Sequence, residues 1–193
     1  INEYDLSTPF DISTHTFAGD SERCNLANGY DSDVHTAPYE AGDMAFSSNG
    51  MHIFVINRGT NGSTNDRLYR YDLTKPFDVS TCTLVQYKDP DASEALNGWR
   101  SGSIGTDNGK HHAQGVAISP DGTKIFISFN TVTGGDAENK SSIREYSLST
   151  PHDISTLTHV DTAGILLPNS LPSQNPDALS LSADGKRIFV VYH

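Results

Sequence analysis

The amino-acid sequence predicts an all-β fold built from repeated four-stranded antiparallel units. Two different motifs recur along the 193-residue chain, three times each, and they alternate. Each motif has the form of a hairpin, with two short stretches rich in Ile, Val, Phe or Tyr separated by turn residues. No helical periodicity interrupts them. One copy of each motif supplies two strands, so a pair of motifs supplies a four-stranded unit. In the first complete unit we expect one hairpin of Met44–Phe46 with His52–Ile56 and a second of Leu68–Leu73 with Ser80–Val85.

The first motif carries a tyrosine in its first strand. Its copies span residues 1–16, 68–83 and 143–158 and read INEYDLSTPFDISTHT, LYRYDLTKPFDVSTCT and IREYSLSTPHDISTLT. A proline follows the tyrosine five residues later in every copy. Proline fixes φ and has no backbone N–H donor, so the first strand must end before it.

The second motif contains an Asn-Gly or Asp-Gly pair. Its copies span residues 44–56, 116–128 and 179–191 and read MAFSSNGMHIFVI, VAISPDGTKIFIS and LSLSADGKRIFVV. We expect Gly50, Gly122 and Gly185 to take positive φ and to close tight hairpins, because glycine tolerates this conformation.

Four-stranded units repeated at this spacing predict the blades of a β-propeller. The tyrosines of the first motif lie 67 and 75 residues apart, which is too long for the repeat of an all-β solenoid. We therefore expect a single propeller domain, or a propeller fragment, over residues 1–193. Its blades would be residues 40–87 and 113–162, with residues 1–16 and 176–193 as the second and first halves of a shared blade.

Three blade equivalents are too few to close a ring, since propellers have about 4 to 8 blades. Two arrangements remain: two chains form a six-bladed homodimer, or the chain is part of a longer repeat protein. In either case each terminal hairpin needs a partner, because an isolated hairpin is marginally stable and leaves an open strand edge. We expect the two terminal hairpins to pair with each other, within one chain or between neighbours.

The segments SPDGTKIFIS and SADGKRIFVV resemble the inner hairpins of WD-repeat-like and YVTN-type propellers. The YDLSTPFDIST segment resembles repeats in large microbial and viral surface proteins. The resemblance covers nearly the whole chain outside its long connections. It implies the fold and no particular activity, because propellers host many unrelated functions.

Composition excludes two classes of partner. The net charge of −11, from 13 basic and 24 acidic residues, argues against a nucleic-acid backbone. No apolar run approaches the roughly 20 residues of a membrane helix, so no membrane insertion is expected. Acidic surfaces rich in Asn, Asp, Ser and Thr are common in secreted proteins. We expect an extracellular location or the surface of a cell or virion.

The two cysteines, Cys24 and Cys82, form no CxxC pair and match no metal-binding spacing. Three interpretations are open at this stage. They are two unrelated buried thiols, a disulfide in an oxidising compartment, or a catalytic thiol, which no surrounding motif supports.

Binding residues are expected on the long connections between blades, at 19–41, 88–113 and 164–176. When the copies of the second motif are aligned, polar side chains precede the innermost strand of each blade and should face the channel. The candidates for a ligand site at the channel mouth are Tyr39, Glu40, His111, His112, Gln114, Asn175 and Asp177. A hydrated channel with no ligand is the alternative.

Two further candidates lie in the second long connection. Trp99 and Arg100 could anchor a partner or stack on a sugar, or Trp99 could cover the core. Asp89, Asp91 and Glu94 alternate along the chain and could hold calcium, although the segment lacks the glycine and terminal glutamate of an EF-hand loop. An ordinary solvated acidic loop is the alternative, and no other cofactor is expected.

The leading functional hypothesis is a non-enzymatic binding or structural propeller that presents long loops to a protein or glycan partner. The sequence contains no nucleophile elbow, phosphate-binding loop or HExxH motif. A second hypothesis is a metal-assisted hydrolase or lactonase with Glu40, His112, Asn175 and Asp177 at the channel mouth. A third is an architectural repeat of a larger surface or fibre protein.

Overall fold

The computed structural model describes residues 1–26, 41–57, 67–88, 111–131, 141–166 and 176–192. These residues form β-strands joined by turns and short 3-10 segments, with no α-helix among them. The strands are β1 Tyr4–Leu6, β2 His15–Phe17, β3 Ala41–Phe46, β4 His52–Asn57, β5 Arg67–Asp72, β6 Thr83–Lys88, β7 His111–Ile118, β8 Lys124–Thr131, β9 Ser142–Leu148, β10 Leu157–Leu166, β11 Pro176–Leu181 and β12 Ile188–Tyr192. The prediction of an all-β chain is confirmed for this part of the molecule.

The strands form two four-stranded antiparallel sheets and two separate hairpins. Sheet A has the strand order β3-β4-β5-β6, and sheet B has the order β10-β9-β8-β7. The N-terminal hairpin is β1-β2 and the C-terminal hairpin is β11-β12. None of these sheets closes into a barrel. Each four-stranded sheet contains one copy of each sequence motif, as the repeat predicts.

The four units stack in chain order, with one apolar core at each junction. Sheet A packs on the N-terminal segment through Ile53, Val55 and Tyr71, which surround Cys24. Its opposite face contributes Phe54, Ile56 and Leu68 to a core with Ile125, Ile127, Tyr146, Leu148 and Ile154 of sheet B. The third core joins Ala117 and Ile143 of sheet B to Leu179, Ile188 and Val190 of the C-terminal hairpin. Alternation of side chains along each strand thus buries both faces of sheets A and B.

The hairpins of the second motif, β3-β4, β7-β8 and β11-β12, are called the inner hairpins, and their turns use the Asx-Gly pairs in two ways. Gly50, Gly122 and Gly185 take φ of 69°, 72° and 67°, as expected. The Asn or Asp before each glycine acts through its side chain: in sheet B, Asp121 accepts hydrogen bonds from the Ser119 hydroxyl and from the Thr123 N–H and hydroxyl. These donors, Ser119 first, lower the pKa of Asp121 to about 2. The turn is therefore held by its own side chains.

The hairpins of the first motif, β1-β2, β5-β6 and β9-β10, are called the outer hairpins. Each has a short 3-10 turn between its strands. In each one an aspartate caps the turn; in sheet A, Asp78 accepts from the Ser80 N–H at 3.2 Å. The sequence predicts a strand beginning at Ser80, and this is wrong because Ser80 lies in the 3-10 segment Val79–Thr81. The strand begins at Thr83, where the backbone becomes free to pair with β5.

In the part of the chain that the structure describes, no strand pairing joins the two terminal hairpins. Val190 pairs with Leu179 inside the C-terminal hairpin, and in the described part of the chain β1 pairs with β2 alone. The described residues therefore do not show the within-chain form of the predicted shared blade, and the cores of sheets A and B lie between the two hairpins. The form in which they pair between neighbouring copies stays a prediction.

A disulfide joins Cys24 to Cys82 and leaves no free cysteine. It connects the N-terminal segment to sheet A across 58 residues of sequence. Of the three interpretations of these residues, the disulfide is confirmed, and such a bond is compatible with an extracellular protein. The described ranges include no helix with the length and apolar character needed to cross a membrane.

Candidate functional site

Strands β3, β7 and β11, which open the three inner hairpins, lie side by side. Strand β7 contacts both of the others, and β3 also contacts β11. Each strand has a register shift against its own partner at the same place in the repeat. The shifts fall between Ala41 and Asp43, between Ala113 and Val116, and between Pro176 and Ala178. Such bulges take backbone groups out of the ladder and point them elsewhere.

The carboxylate of Asp43 receives backbone hydrogen bonds from all three inner strands. The Met44 N–H donates to Oδ1 at 2.8 Å, the Val116 N–H donates to Oδ2 at 3.1 Å, and the Leu179 N–H donates to Oδ2 at 3.3 Å. Met44, Val116 and Leu179 occupy the same position in the three copies of the second motif. One side chain therefore links three equivalent backbone positions, and we call this group of four residues the Asp43 clamp.

Two glycines allow the inner strands to approach closely at the Asp43 clamp. A Cβ at Gly42 would lie 2.6 Å from the backbone oxygen of Gln114. A Cβ at Gly115 would lie 2.8 Å from Ser128 Oγ and 2.9 Å from the backbone nitrogen of Leu179. Any larger residue at either position would push the strands apart, so the glycines are required by packing.

Burial raises the pKa of Asp43, and the hydrogen bonds from Val116, Met44 and Leu179 oppose that change. An ionised carboxylate accepts hydrogen bonds and donates none. Both of its oxygens are bonded to backbone donors, which suits an anchor for three strands better than a proton acceptor for a substrate.

Beside the Asp43 clamp, the inner hairpins enclose an open groove of about 340 Å³. It is lined by residues 44–46, 116–118 and 179–183 together with Ser48 and Pro120. The described lining side chains are apolar or small, and they include hydroxyls but no His, Lys, Arg, Asp or Glu. This surface can bind an apolar group or pack against another polypeptide.

A second polar cluster lies between sheets A and B. The rings of His52 and His152 are 4.8 Å apart, and His52 Nδ1 lies 2.8 Å from Asp72 Oδ1. Arg70 bonds to both Asp72 oxygens at 2.7 and 2.8 Å and donates to the backbone oxygen of His152 at 3.0 Å. Burial, followed by the nearby His52 and Arg70, lowers the pKa of His152. The cluster connects the two sheets through charge-assisted hydrogen bonds.

Of the predicted channel-mouth residues, Gln114 and Asp177 have described side chains. Gln114 is buried, and its Nε2 has no hydrogen-bond partner among the described residues. Asp177 is partly exposed at the start of β11. The backbones of His111 and His112 begin β7, and their side chains lie outside the described part of the chain.

The other predicted site residues lie outside the described residues: Tyr39, Glu40, Asp89, Asp91, Glu94, Trp99, Arg100 and Asn175. The proposed glycan or protein anchor and the calcium segment therefore stay predictions. Within the ranges that the structure describes, no three His, Cys, Asp or Glu side chains come together as a metal site.

Asp43 was not among the site residues predicted from the sequence. The sequence does distinguish this position. Asp43 lies between Gly42 and the apolar residues that begin the strand, and the other two copies of the motif have Gly115 and Ala178 at the same place. Its role depends on contacts with strands 73 and 136 residues away along the chain, which a single repeat does not reveal.

Comparisons with known proteins add little to this description. No protein-family model and no curated protein sequence matches the chain. Among solved structures, the chain is similar to a protein from Bacteroides uniformis described as a 6-phosphogluconolactonase, with 13% identity and a TM-score of 0.38. The match covers 82% of this chain and 52% of that one, so the chain spans about half of its length. A likeness at this level assigns neither a family nor an activity.

Proposed function

We propose that the chain is part of a β-propeller and acts as a non-enzymatic platform that presents its long connections to a protein or glycan partner. The location would be extracellular or on the surface of a cell or virion. The observation that carries the proposal is the Asp43 clamp. The carboxylate at the meeting point of three repeats is bonded to backbone amides from each of them, which is a role in holding repeats together.

Two further features support a platform. Each face of sheets A and B is buried against a neighbouring unit, and the disulfide between Cys24 and Cys82 fixes the N-terminal segment to sheet A. Rigid elements of this kind hold loops in place for recognition. The described groove at the inner strands is lined by apolar and hydroxyl side chains, which suit contact rather than acid–base chemistry.

Binding is the test of this proposal. The purified chain would be applied to arrays of glycans and of extracellular protein domains, together with the variants Trp99→Ala and Thr74→Ala. We expect saturable binding to a member of one array, weakened at least about tenfold by Trp99→Ala, as for an aromatic residue at an interface hot spot. The Thr74→Ala control changes an exposed turn residue of sheet A and should bind normally. Binding to neither array would contradict the proposal.

The metal-assisted hydrolase is separated from the platform by metal analysis and a hydrolysis assay. Under our proposal, the purified chain holds no stoichiometric transition metal, and a chelator leaves its thermal unfolding unchanged. One bound metal per chain, with lactone hydrolysis that is lost in His112→Ala, would instead establish the hydrolase.

An architectural role in a larger assembly is favoured by a different observation. Both terminal hairpins expose large apolar side chains, including Phe10 and Ile12 at one end and Phe189 and Val191 at the other. Exposed apolar surface of this kind marks interaction sites.

A further inference from the structure

Sheets A and B share a contact in which an aromatic ring covers a turn glycine. Phe77 and His152 occupy the same position of the first motif and take φ of 61° and 65°. The Phe77 N–H donates to the Gly50 oxygen at 2.8 Å, and the His152 N–H donates to the Gly122 oxygen at 2.9 Å. A Cβ on Gly50 would lie 2.5 Å from the Phe77 ring, and one on Gly122 would lie 2.3 Å from the His152 ring.

We call this contact the ring-on-glycine latch. It joins the outer hairpin of each sheet to the inner hairpin of the same sheet. A left-handed conformation costs a non-glycine residue roughly 1–2 kcal/mol, and in sheets A and B the hydrogen bond and the ring contact of the latch offset that cost.

The terminal hairpins contain the two halves of a latch, separated from each other. Phe10 of the N-terminal hairpin has φ of 63° and is 101% exposed. Gly185 of the C-terminal hairpin has φ of 67°, and a Cβ there would meet no atom of the described residues within 4 Å. Among the described residues, the Phe10 ring has no glycine beneath it, and Gly185 has no ring above it.

The apolar faces are divided between the hairpins in the same way. Tyr4 and Ile12 are 56% and 81% exposed, whereas their equivalents Tyr146 and Ile154 are fully buried. At the other end, Phe189 and Val191 are 55% and 59% exposed. Their equivalents in sheet A, residues 54 and 56, are buried in the core against sheet B. Each terminal hairpin thus exposes the side chains that a neighbouring unit covers in sheets A and B.

We propose that the two terminal hairpins are complementary halves of one four-stranded sheet that forms between two copies of this chain, with Phe10 of one copy latched onto Gly185 of the other. The proposal rests on the repeat architecture and is independent of any glycan or protein partner.

The internal sheets fix the register of this composite sheet. In sheet B, Ile125 pairs with Tyr146 across β8 and β9. The equivalent pair between β12 and β1 is Ile188 with Tyr4. One residue further along, Arg187 stands opposite Asp5, in the place where His52 and Asp72 pair at 2.8 Å in sheet A. Opposite charges therefore meet in this register, which favours the cross-strand pair.

A second copy supplies what each terminal hairpin lacks, because every copy carries both halves of the latch and the stacking order keeps the two hairpins of one chain apart. The N-terminal hairpin lies against sheet A and the C-terminal hairpin lies against sheet B, with the core between the sheets separating them. Two copies joined head to tail complete both composite sheets at once. Together with two internal sheets from each copy, they make a closed ring of six sheets, which removes the strand edges at both ends.

Native mass and disulfide trapping test the proposal on the 193-residue chain. Sedimentation should give twice the chain mass of 20.9 kDa. Phe10→Asp should raise the dissociation constant at least about tenfold, while Val85→Asp, which changes an exposed apolar residue on β6 of sheet A, should leave it unchanged. A chain that stays monomeric at its solubility limit would overturn the proposal.

Trapping checks the register and does not depend on how well Phe10→Asp folds. Asp5→Cys and Arg187→Cys would be prepared separately, and then mixed and oxidised. Opposed residues in an antiparallel pair lie within the range of Cα distances that a disulfide spans. We expect a linked dimer from the mixture and none from either variant alone. A dimer that gives no link in the mixture, or a link in a single variant, would overturn the head-to-tail arrangement.

Discussion

The outer hairpin of sheet B and the N-terminal hairpin share a sequence motif and a local conformation, yet their burial is opposite. In both hairpins an aspartate caps the 3-10 turn by accepting from a serine N–H and hydroxyl, at 3.0 and 2.6 Å in each. Ile154 of sheet B is 0% exposed, whereas Ile12 of the N-terminal hairpin is 81% exposed. The turn chemistry is local, and the burial depends on whether another unit covers the hairpin.

The N-terminal hairpin is therefore held in place by its other face, which lies against sheet A. Glu3 accepts a hydrogen bond from the Val79 N–H of sheet A at 3.2 Å, and Ile1 packs in the core around the disulfide. At the junction between sheets A and B, the Ile154 N–H, which is equivalent to the Val79 N–H, donates to Gln86 of sheet A at 3.1 Å. The same side-to-side contact thus recurs at two junctions, and the disulfide belongs to the first of them.

We expect the largest loss of stability from removing the disulfide, which joins the N-terminal segment to sheet A. The paired substitution Cys24→Ser with Cys82→Ser should lower the free energy of unfolding by about 4 kcal/mol, because a cross-link over 58 residues restricts the unfolded chain. Urea unfolding of the variant and the wild type measures this difference. An unchanged unfolding midpoint would show that packing alone holds the N-terminal hairpin on sheet A.

Truncating the equivalent isoleucines of the two hairpins tests directly whether their burial differs. Ile154→Ala should cost about 3 kcal/mol because it leaves a cavity in the core between the sheets. Ile12→Ala should cost less than about 0.5 kcal/mol in dilute protein, since its side chain is exposed. Urea unfolding gives both values. A cost of Ile12→Ala that grows with protein concentration would show that a second copy buries this residue, and equal costs in dilute protein would contradict the stacking order.

The turn glycines provide a smaller contrast. Gly122→Ala should cost at least about 2 kcal/mol, because strain at positive φ adds to a clash with the His152 ring. Gly185→Ala should cost only about 1 kcal/mol, since open space surrounds the new methyl group. Thermal unfolding of the dilute proteins compares the two variants, and equal losses would contradict the latch.

The smallest expected effect is on the way the free energy of unfolding depends on pH. The pKa of His152 is lowered from 6.5 by burial, then by His52 and Arg70, and Asp121 and Asp72 oppose the shift. The unfolded chain then binds a proton more readily than the folded chain, so the free energy of unfolding falls as pH drops through 6.5 and on through the lower folded pKa. His152→Phe removes this dependence and keeps the ring, as Phe77 does in sheet A.

His152→Gln is the matched control, because it is neutral at every pH and has no aromatic ring. Both variants should show a flatter dependence of stability on pH than the wild type, whatever their absolute stabilities. A slope in both variants equal to that of the wild type would contradict the assignment to His152.

The strands and turns of sheets A and B were predictable because their signals are local. Alternating apolar residues, the prolines and the Asx-Gly pairs each act within about 15 residues of sequence. The start of β6 was misplaced because Asp78 captures the Ser80 N–H, a competition between side chain and backbone that strand propensity ignores.

The Asp43 clamp, the latch and the disulfide were not predictable in the same way, because each depends on residues that are distant in sequence. The latch is an example: all three copies of the first motif have positive φ at this position, but nothing within the motif shows that Phe77 covers Gly50 of another hairpin. Equivalent residues also differ in burial according to their neighbours, and a repeat pattern treats all copies alike.

The Asp43 clamp sets a limit on how alike the repeats can become. Gly115 and Ala178 occupy the place of Asp43 in the other two copies, and the inner strands meet so closely there that even a methyl group on Gly115 would lie 2.9 Å from the Leu179 backbone. Three carboxylates in this space would repel one another and would compete for the same amide donors. Duplication can therefore generate the framework of such a protein, but one copy must then diverge to hold the others. A consensus sequence averaged over the repeats would erase that difference and with it the contact that joins them.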